Sequence, residues 1–193
     1  MAWSPSESAY VPVGHGGNAQ LSLEVIRPHI QRILDEPDIT VVAHHAKYDV
    51  TVLERAGFRV RPVQFDTMIA AYLLGETSVG LKDLAFRRLG FEMTEISTLI
   101  GSGRNQLTMD LVSADDAGDY ACRDVEATLG LQEKFSPELE ERELRHLFDE
   151  GGNATGSGAL RDGADWGGDR RRLSERVRGR NSSEDARSRT GDF

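Results

Sequence analysis

The stretch Asp38-Ile-Thr-Val-Val-Ala-His-His-Ala-Lys-Tyr-Asp-Val-Thr-Val-Leu-Glu-Arg-Ala-Gly57 changes its period half-way along. Residues 38–43 are a short continuous run rich in β-branched side chains, the pattern of a buried strand. From Lys47 to Ala56 the apolar positions Val52, Leu53 and Ala56 fall on one helical face, and Gly57 supplies a stop. Strand therefore flows into helix, with Asp49 in the helix's first turn. Ligands of open α/β sheets gather at such strand ends. A second reading of Asp49 stays open, because an acid in a first turn is favoured by the helix dipole alone, by about 0.3–1 kcal/mol.

Working upstream, Tyr10-Val-Pro-Val13 has strand character and Gly14 to Asn18 is a turn-rich loop. Ser22 is placed to cap a helix whose apolar face is Leu23, Ile26, Ile30, Ile33 and Leu34, with Pro28 expected to bend or delay it. Downstream, Val63 to Phe65 reads as a strand end, and Asp66 caps a strongly apolar helix that Gly75 closes after Leu74. Leu81 to Leu89 is a shorter amphipathic helix ended by Gly90, and Gly101-Ser-Gly-Arg-Asn105 lies in a loop. Ser113 with Asp116 starts a long helix reaching about Phe135, and Pro137 is expected to open another. Strands alternating with helices indicate an α/β or α+β layer fold.

Two compositions share the chain. Residues 1–150 carry 14 Lys+Arg against 25 Asp+Glu, a net of −11, with apolar residues recurring throughout. Residues 151–193 carry 9 Arg, no Lys, 7 Asp+Glu and 9 Gly, with few large apolar groups. Such a segment cannot offset about 1–2 kcal/mol of backbone entropy per ordered residue, so 151–193 is expected to be a disordered tail after a domain ending near Glu150. Two origins fit the tail: an Arg/Gly/Ser-rich arm that touches nucleic acid, or the product of a shifted reading frame in a GC-rich gene.

The net charge of the whole chain, −9, argues against a protein that blankets phosphate backbones with lysine. It is compatible with a site that holds divalent cations through carboxylates, where the metal meets the phosphate. Cys122 is the single cysteine, which excludes an intramolecular disulfide and a thiolate zinc cluster. No run of about 18 apolar residues exists and Met1-Ala-Trp-Ser-Pro has no signal-peptide character, so no membrane partner and a cytoplasmic location are expected.

On the long helix Tyr120 and Asp124 stand one turn apart on a face shared with Ala117, Ala121, Thr128 and Leu131. A carboxylate on an apolar face costs several kcal/mol to bury unless it is paired or bound to metal. A hydrogen-bonded structural pair and a functional pair both fit Tyr120 and Asp124 at this point. Carboxylates from separate elements can share divalent ions while a tyrosine hydroxyl orients water, which is the chemistry of phosphodiester hydrolysis. His44 and His45, adjacent at a strand end, point to opposite faces and do not easily share one ion. Gly101-Ser-Gly-Arg104 is too short for a nucleotide-binding glycine loop.

Four segments in order carry a family resemblance across roughly residues 8–150. His44-His-Ala-Lys-Tyr-Asp-Val-Thr-Val-Leu53 resembles the second exonuclease motif of bacterial family A (polymerase I-type) DNA polymerases, an Asn-x-Lys-(Tyr/Phe)-Asp core before an apolar helix. Phe65-Asp-Thr-Met-Ile-Ala-Ala-Tyr-Leu-Leu74 is similar to the helix that follows it, and Asn105-Gln-Leu-Thr-Met109 to the segment before the third motif. Tyr120-Ala-Cys-Arg-Asp-Val-Glu-Ala-Thr-Leu129 resembles that third motif, Tyr-x-x-x-Asp.

The resemblance implies a ribonuclease-H-like exonuclease fold, a mixed sheet flanked by helices, of the DEDD superfamily and its tyrosine subclass. It implies a 3′-5′ proofreading activity on single-stranded DNA 3′ ends beside a polymerase domain. Asp49 and Asp124 would help hold two Mg²⁺ or Mn²⁺ ions, about 3.5–4 Å apart, and Tyr120 would position the attacking water. His45, Lys47, Arg104, Asn105 and Gln106 would meet the DNA, and Lys82, Arg87 and Arg88 either touch its backbone or are solvated helix-face charges. The sequence departs from the family at two places. No Asp-x-Glu, the first motif, occurs in residues 1–20, so the first strand is expected to be missing and activity impaired. His45 also stands where the second motif has Asn. A ribonuclease D-type RNA exonuclease and a vestigial, non-catalytic exonuclease-like spacer are the alternatives.

Overall fold

The computed structural model describes residues 1–16 and 20–150, and the expected tail over 151–193 lies outside the described residues. Helices dominate, and three of them begin on the side chains that their sequences provide. Ser22 accepts from the Val25 amide to start α1 (Leu23–Asp35), Asp66 accepts from Met68 N to start α3 (Thr67–Leu73), and Ser113 accepts from Asp116 N to start α6 (Ala114–Glu141). Each cap satisfies an amide that the first turn leaves without an intrahelical partner.

The strands are short and form two pairs. β1 (Ala2–Ser4) and β2 (Glu7–Ser8) make an antiparallel hairpin, while β3 (Val42–Ala43) and β4 (Phe65–Asp66) run parallel with Val42 opposite Phe65 and Ala43 opposite Asp66. Parallel and antiparallel pairing thus both occur, on two separate two-stranded sheets among the described residues. Tyr10–Val13, expected as strand, is irregular. The expected strand over 38–43 shrinks to Val42–Ala43, and Ile39 is 40% exposed. Upstream of β3 the pairing is diverted, because Val41 N donates to the Gln64 side chain while the Gln64 and Phe65 amides both donate to Val41 O. That arrangement closes the ladder at one residue.

Between the strands, α2 (Ala46–Arg55) follows β3 after a two-residue corner, and α4 (Leu81–Leu84) continues into a π-helical turn over Ala85–Leu89. A short α5 (Ile96–Ile100) and 3₁₀ turns at Gly103–Asn105 and Met109–Leu111 lead to α6. Pro137 does not open a new helix. It lies inside α6, which runs on to Glu141, and the next helical turn covers residues 145–150. Pro28 likewise sits inside α1. A proline in a helix interior removes one hydrogen bond and crowds the preceding turn. Around Pro137 burial outweighs that cost, since Phe135 and Leu139 are both fully buried.

The core joins α3 to α6. Phe65, Ile69, Ala70, Leu73 and Leu74 meet Leu84, Leu131, Phe135, Leu139 and Phe148, and the Phe65 and Phe148 rings lie 4.7 Å apart. Ala70 and Ala71 are completely buried, so α3 approaches its neighbours closely. Arg88 closes one flank by bridging Glu76 and Glu138 and lying over the Phe135 ring. This packing fixes the inner face of α6 relative to the β3–β4 pair, and both carry the candidate site.

Candidate active site

The corner between β3 and α2 is held from below by a single buried carboxylate. Asp66 Oδ1 accepts from His45 N at 3.1 Å and from Met68 N at 2.9 Å, and its Oδ2 accepts from Ala46 N at 2.8 Å. One side chain therefore caps α3 and anchors the N-terminus of α2, 20 residues earlier in the chain. The corner residue His45 has φ 65°, in the left-handed region that a non-glycine residue seldom occupies. The bond from its amide to Asp66 helps hold that conformation, and the α2 that emerges presents Asp49 one turn later.

His44 and His45 diverge as their adjacency predicts. His44 turns inward, its Nδ1 at 2.9 Å from Thr67 Oγ1, and burial lowers its pKa, with Asp66 and a bond to the Val79 backbone opposing this and His45 adding to it. His45 is exposed.

Tyr120 and Asp124 lie on α6 as expected, beside the buried Ala117 and Thr128. Thr128 Oγ1 donates back to Asp124 O at 2.8 Å. Both site groups line an open cleft of about 390 Å³ together with Gly80, Leu81, Lys82 and Asp83 at the start of α4 and Glu95 just before α5. The Lys82 ammonium stands 5.5 Å from the centre of the Tyr120 ring and pairs with Glu95 at 3.0 Å.

The electrostatics tie these groups together. Burial pushes the Asp124 carboxyl up to about 6; Lys82 opposes this and Asp49 adds to it. Asp49 is exposed as a residue, yet the protein atoms packed around its carboxyl raise its pKa, Asp66 adds to this and His45 opposes it. The repulsion between Asp49 and Asp124 falls on Asp124 because, of two interacting acids, the second to ionise does so against a charge already present. The Tyr120 hydroxyl is raised by burial and by Asp124, with Lys82 pulling the other way, so it stays a protonated donor.

The remaining predicted contacts are dispersed. Lys47 is half-buried on α2, and Arg104, Asn105 and Gln106 are exposed on the loop around the 3₁₀ turn, which contributes nothing to the lining of the cleft. Arg87 and Arg88, read as solvated charges, are committed to Glu76, and Arg88 also to Glu138. Two residues escaped the sequence reading: Asp66 was legible only as a cap, and Glu95 not at all. Lys82 was legible as a cation that either touches the DNA backbone or stays a solvated helix-face charge, but its place in the cleft was not. A signal existed for Asp66, since two strands that both end on a helix start bring their ends together when they pair in parallel.

Among the described residues no group of three or more His, Cys, Asp or Glu side chains is gathered as a metal cluster. Asp49 and Asp124 supply hard oxygen donors of the type that Mg²⁺ and Mn²⁺ favour, and their mutual repulsion is relieved by a cation.

The sequence pattern of 3′-5′ exonuclease domains matches residues 1–140, which include every group just described. The chain belongs to the 3′-5′ exonuclease family. It is similar to DNA polymerase I of Chloroflexus aurantiacus, 37% identical over 148 residues that make up 76% of this chain and 16% of that protein. The DNA polymerase I of Pseudomonas aeruginosa is 34% identical over 147 residues, 72% of this chain and 16% of its own length, and that of Rhizobium leguminosarum is 31% identical over 155 residues, 74% of this chain and 15% of its own length. The chain thus spans about one-sixth of the length of these curated relatives, as the 16% coverage gives. Membership makes this a domain of the exonuclease type and an enzyme by family. Among the described residues no helix is long and apolar enough to cross a membrane.

Proposed function

We propose that this domain removes nucleotides from the 3′ ends of single-stranded DNA, as an editing unit of ribonuclease-H-like architecture beside a polymerase domain, in the cytoplasm. The observation that carries the reading is the convergence of Tyr120 and Asp124, one turn apart on α6, on a cleft where Asp49 adds to the raised pKa of Asp124. Asp49 and Asp124 would bind Mg²⁺ or Mn²⁺. When bound, such ions lower the pKa of water and neutralise charge on the phosphate.

The chain's own groups do the rest. The Tyr120 hydroxyl, kept protonated, donates to the attacking water and fixes its direction. Asp124, raised to about 6, is charged at neutral pH in a place that disfavours its charge, so it gains from any cation that approaches. The open cleft admits a frayed end more readily than a paired one, since unpairing costs a few kcal/mol, least of all at a mismatch. His45, Lys47, Arg104, Asn105 and Gln106 would meet the strand farther from the reacting bond.

Two acids align a metal pair less well than a fuller set, and residues 1–20 contain no Asp-x-Glu. The expected activity of the chain is accordingly low. The observation that no third ligand is gathered among the described residues also favours the second reading, a non-catalytic spacer. The test is release of nucleotides from a 3′-labelled single strand with Mg²⁺, and with Mn²⁺, alongside the matching RNA. Slow, metal-dependent loss of DNA ends that falls at least about a hundredfold in Asp124→Ala supports the exonuclease. Preference for RNA, or cleavage indifferent to Asp124, overturns it. DNA binding with no turnover under either metal supports the spacer.

A further inference from the structure

Among the described residues that line the cleft Lys82 is the single cation, against the carboxylates of Asp83, Glu95 and Asp124. Its two basic neighbours on the same segment are spoken for. Arg87 is held by Glu76, by Thr77 Oγ1 at 2.7 Å and by Ser78 O at 2.7 Å, while Arg88 is shared between Glu76 and Glu138. Lys82 has a different kind of partner. The Glu95 side chain is 66% exposed, ends an irregular stretch over residues 90–95 and makes no capping bond to α5, where only the backbone carbonyl accepts, from Thr98 N. The lysine side chain is only 27% exposed and rises from a turn secured by the fully buried Leu84 and Ala85. A largely covered cation is thus paired with a mostly exposed anion, and an ion pair with one partner open to water holds weakly.

Resting on the exonuclease reading, we propose that Lys82 is a phosphate-contacting residue for the DNA strand and that Glu95 is its placeholder, displaced when a backbone phosphate arrives. The ammonium lies over the Tyr120 ring at 5.5 Å, so a phosphate that takes the place of Glu95 rests above the edge formed by Tyr120 and Asp124. The exchange swaps one anion for another on the same lysine and leaves the charge of the cleft balanced. Glu95 thereby acts as a built-in competitor: it sets a threshold that only a strand contributing further contacts overcomes.

The pair predicts opposite effects from its two ends. Binding of the full chain to a labelled oligothymidylate is measured by fluorescence anisotropy with Ca²⁺ in place of Mg²⁺, across a range of salt. Lys82→Met weakens binding by about three- to tenfold and reduces the slope of log K against log salt by about 0.7, the share of one phosphate contact on a single strand. Glu95→Gln tightens binding by about two- to fivefold, Lys82→Arg retains it, and the double variant binds no better than Lys82→Met alone. A purely structural ion pair would move both single variants in the same direction. Equal binding by Lys82→Met and the parent, or weaker binding by Glu95→Gln, overturns the assignment of Lys82 and Glu95 while leaving the exonuclease reading intact. Failure of the unsubstituted chain to bind overturns that reading and this one with it.

Discussion

Removal of the Asp66 side chain tests how the site is built, because three backbone amides from two elements depend on it. In Asp66→Ala the amides of His45, Ala46 and Met68 all lose their acceptor. Asp66 is only 7% exposed, so water replaces the carboxylate poorly. An orphaned buried donor costs roughly 1–3 kcal/mol, and three that share one acceptor are not additive, which places the loss at about 3–5 kcal/mol. Asp66→Asn is the sharper probe. One amide oxygen at the Oδ1 position keeps the His45 and Met68 bonds, while the NH₂ group faces the Ala46 amide that Oδ2 accepted from. One bond is lost and one donor meets another, at about 1–3 kcal/mol. Urea unfolding followed by circular dichroism reads both, with an expected fall in midpoint at constant m. At about 2–4 °C per kcal/mol, Asp66→Ala lowers the Tm by roughly 6–20 °C. Equal losses for the Ala and Asn variants, or a loss below about 1 kcal/mol for Ala, would refute the claim that this carboxylate holds both helix starts.

Two further outcomes follow from particular residues. The pKa of Asp124 is pushed up to about 6, so the folded chain holds this proton more tightly than the unfolded chain. Stability therefore falls as pH rises from about 4 through about 6. In the presence of EDTA, Asp124→Asn is more stable than the parent above about pH 6, by on the order of 1 kcal/mol after screening, and gains nothing below about pH 4; urea midpoints at both ends of the window check this. Pro137 lies inside a 28-residue helix, where replacement by alanine restores an amide donor; Pro137→Ala is expected to raise the Tm in a thermal scan, by up to about 3 kcal/mol of added stability.

Local chemistry was the legible part of this sequence. Ser22, Asp66 and Ser113 each announced a helix start by residue type and spacing, and each side chain accepts the expected amide. Tyr120 and Asp124 were legible for the same reason, since their spacing of four is a property of one helix. Burial was harder to read. The β-branched run before Ala43 has the composition of an interior strand, but among the described residues only Val42 and Ala43 pair, on one side, and Ile39 lies outside the ladder and is exposed. Pro137 reads as a helix start by propensity, yet the buried Phe135 and Leu139 on either side hold the helix through it. Convergence was not legible at all. Lys82 and Glu95 are separated by a π-helical turn and an irregular stretch, so no period connects them, and only the packing of α4 against α6 brings the lysine over Tyr120.

The charge of the chain takes on a definite meaning at this cleft. A net of −9 is unfavourable for holding a polyanion, and the site concentrates the difficulty by placing Asp49 where it raises Asp124 further. Lys82 pulls Asp124 down, yet burial and Asp49 together outweigh it, so the carboxylate pair gains from any added positive charge. The same lysine is half-neutralised by Glu95, which keeps the cleft from attracting phosphate by lysine alone. On the proposed reading, strand binding and cation binding are then coupled: each supplies charge that the other site group lacks, and neither is strong without the other. Affinity for duplex or long single strands would have to come from surfaces elsewhere, so that the cleft discriminates an end by its chemistry and not by general attraction to DNA.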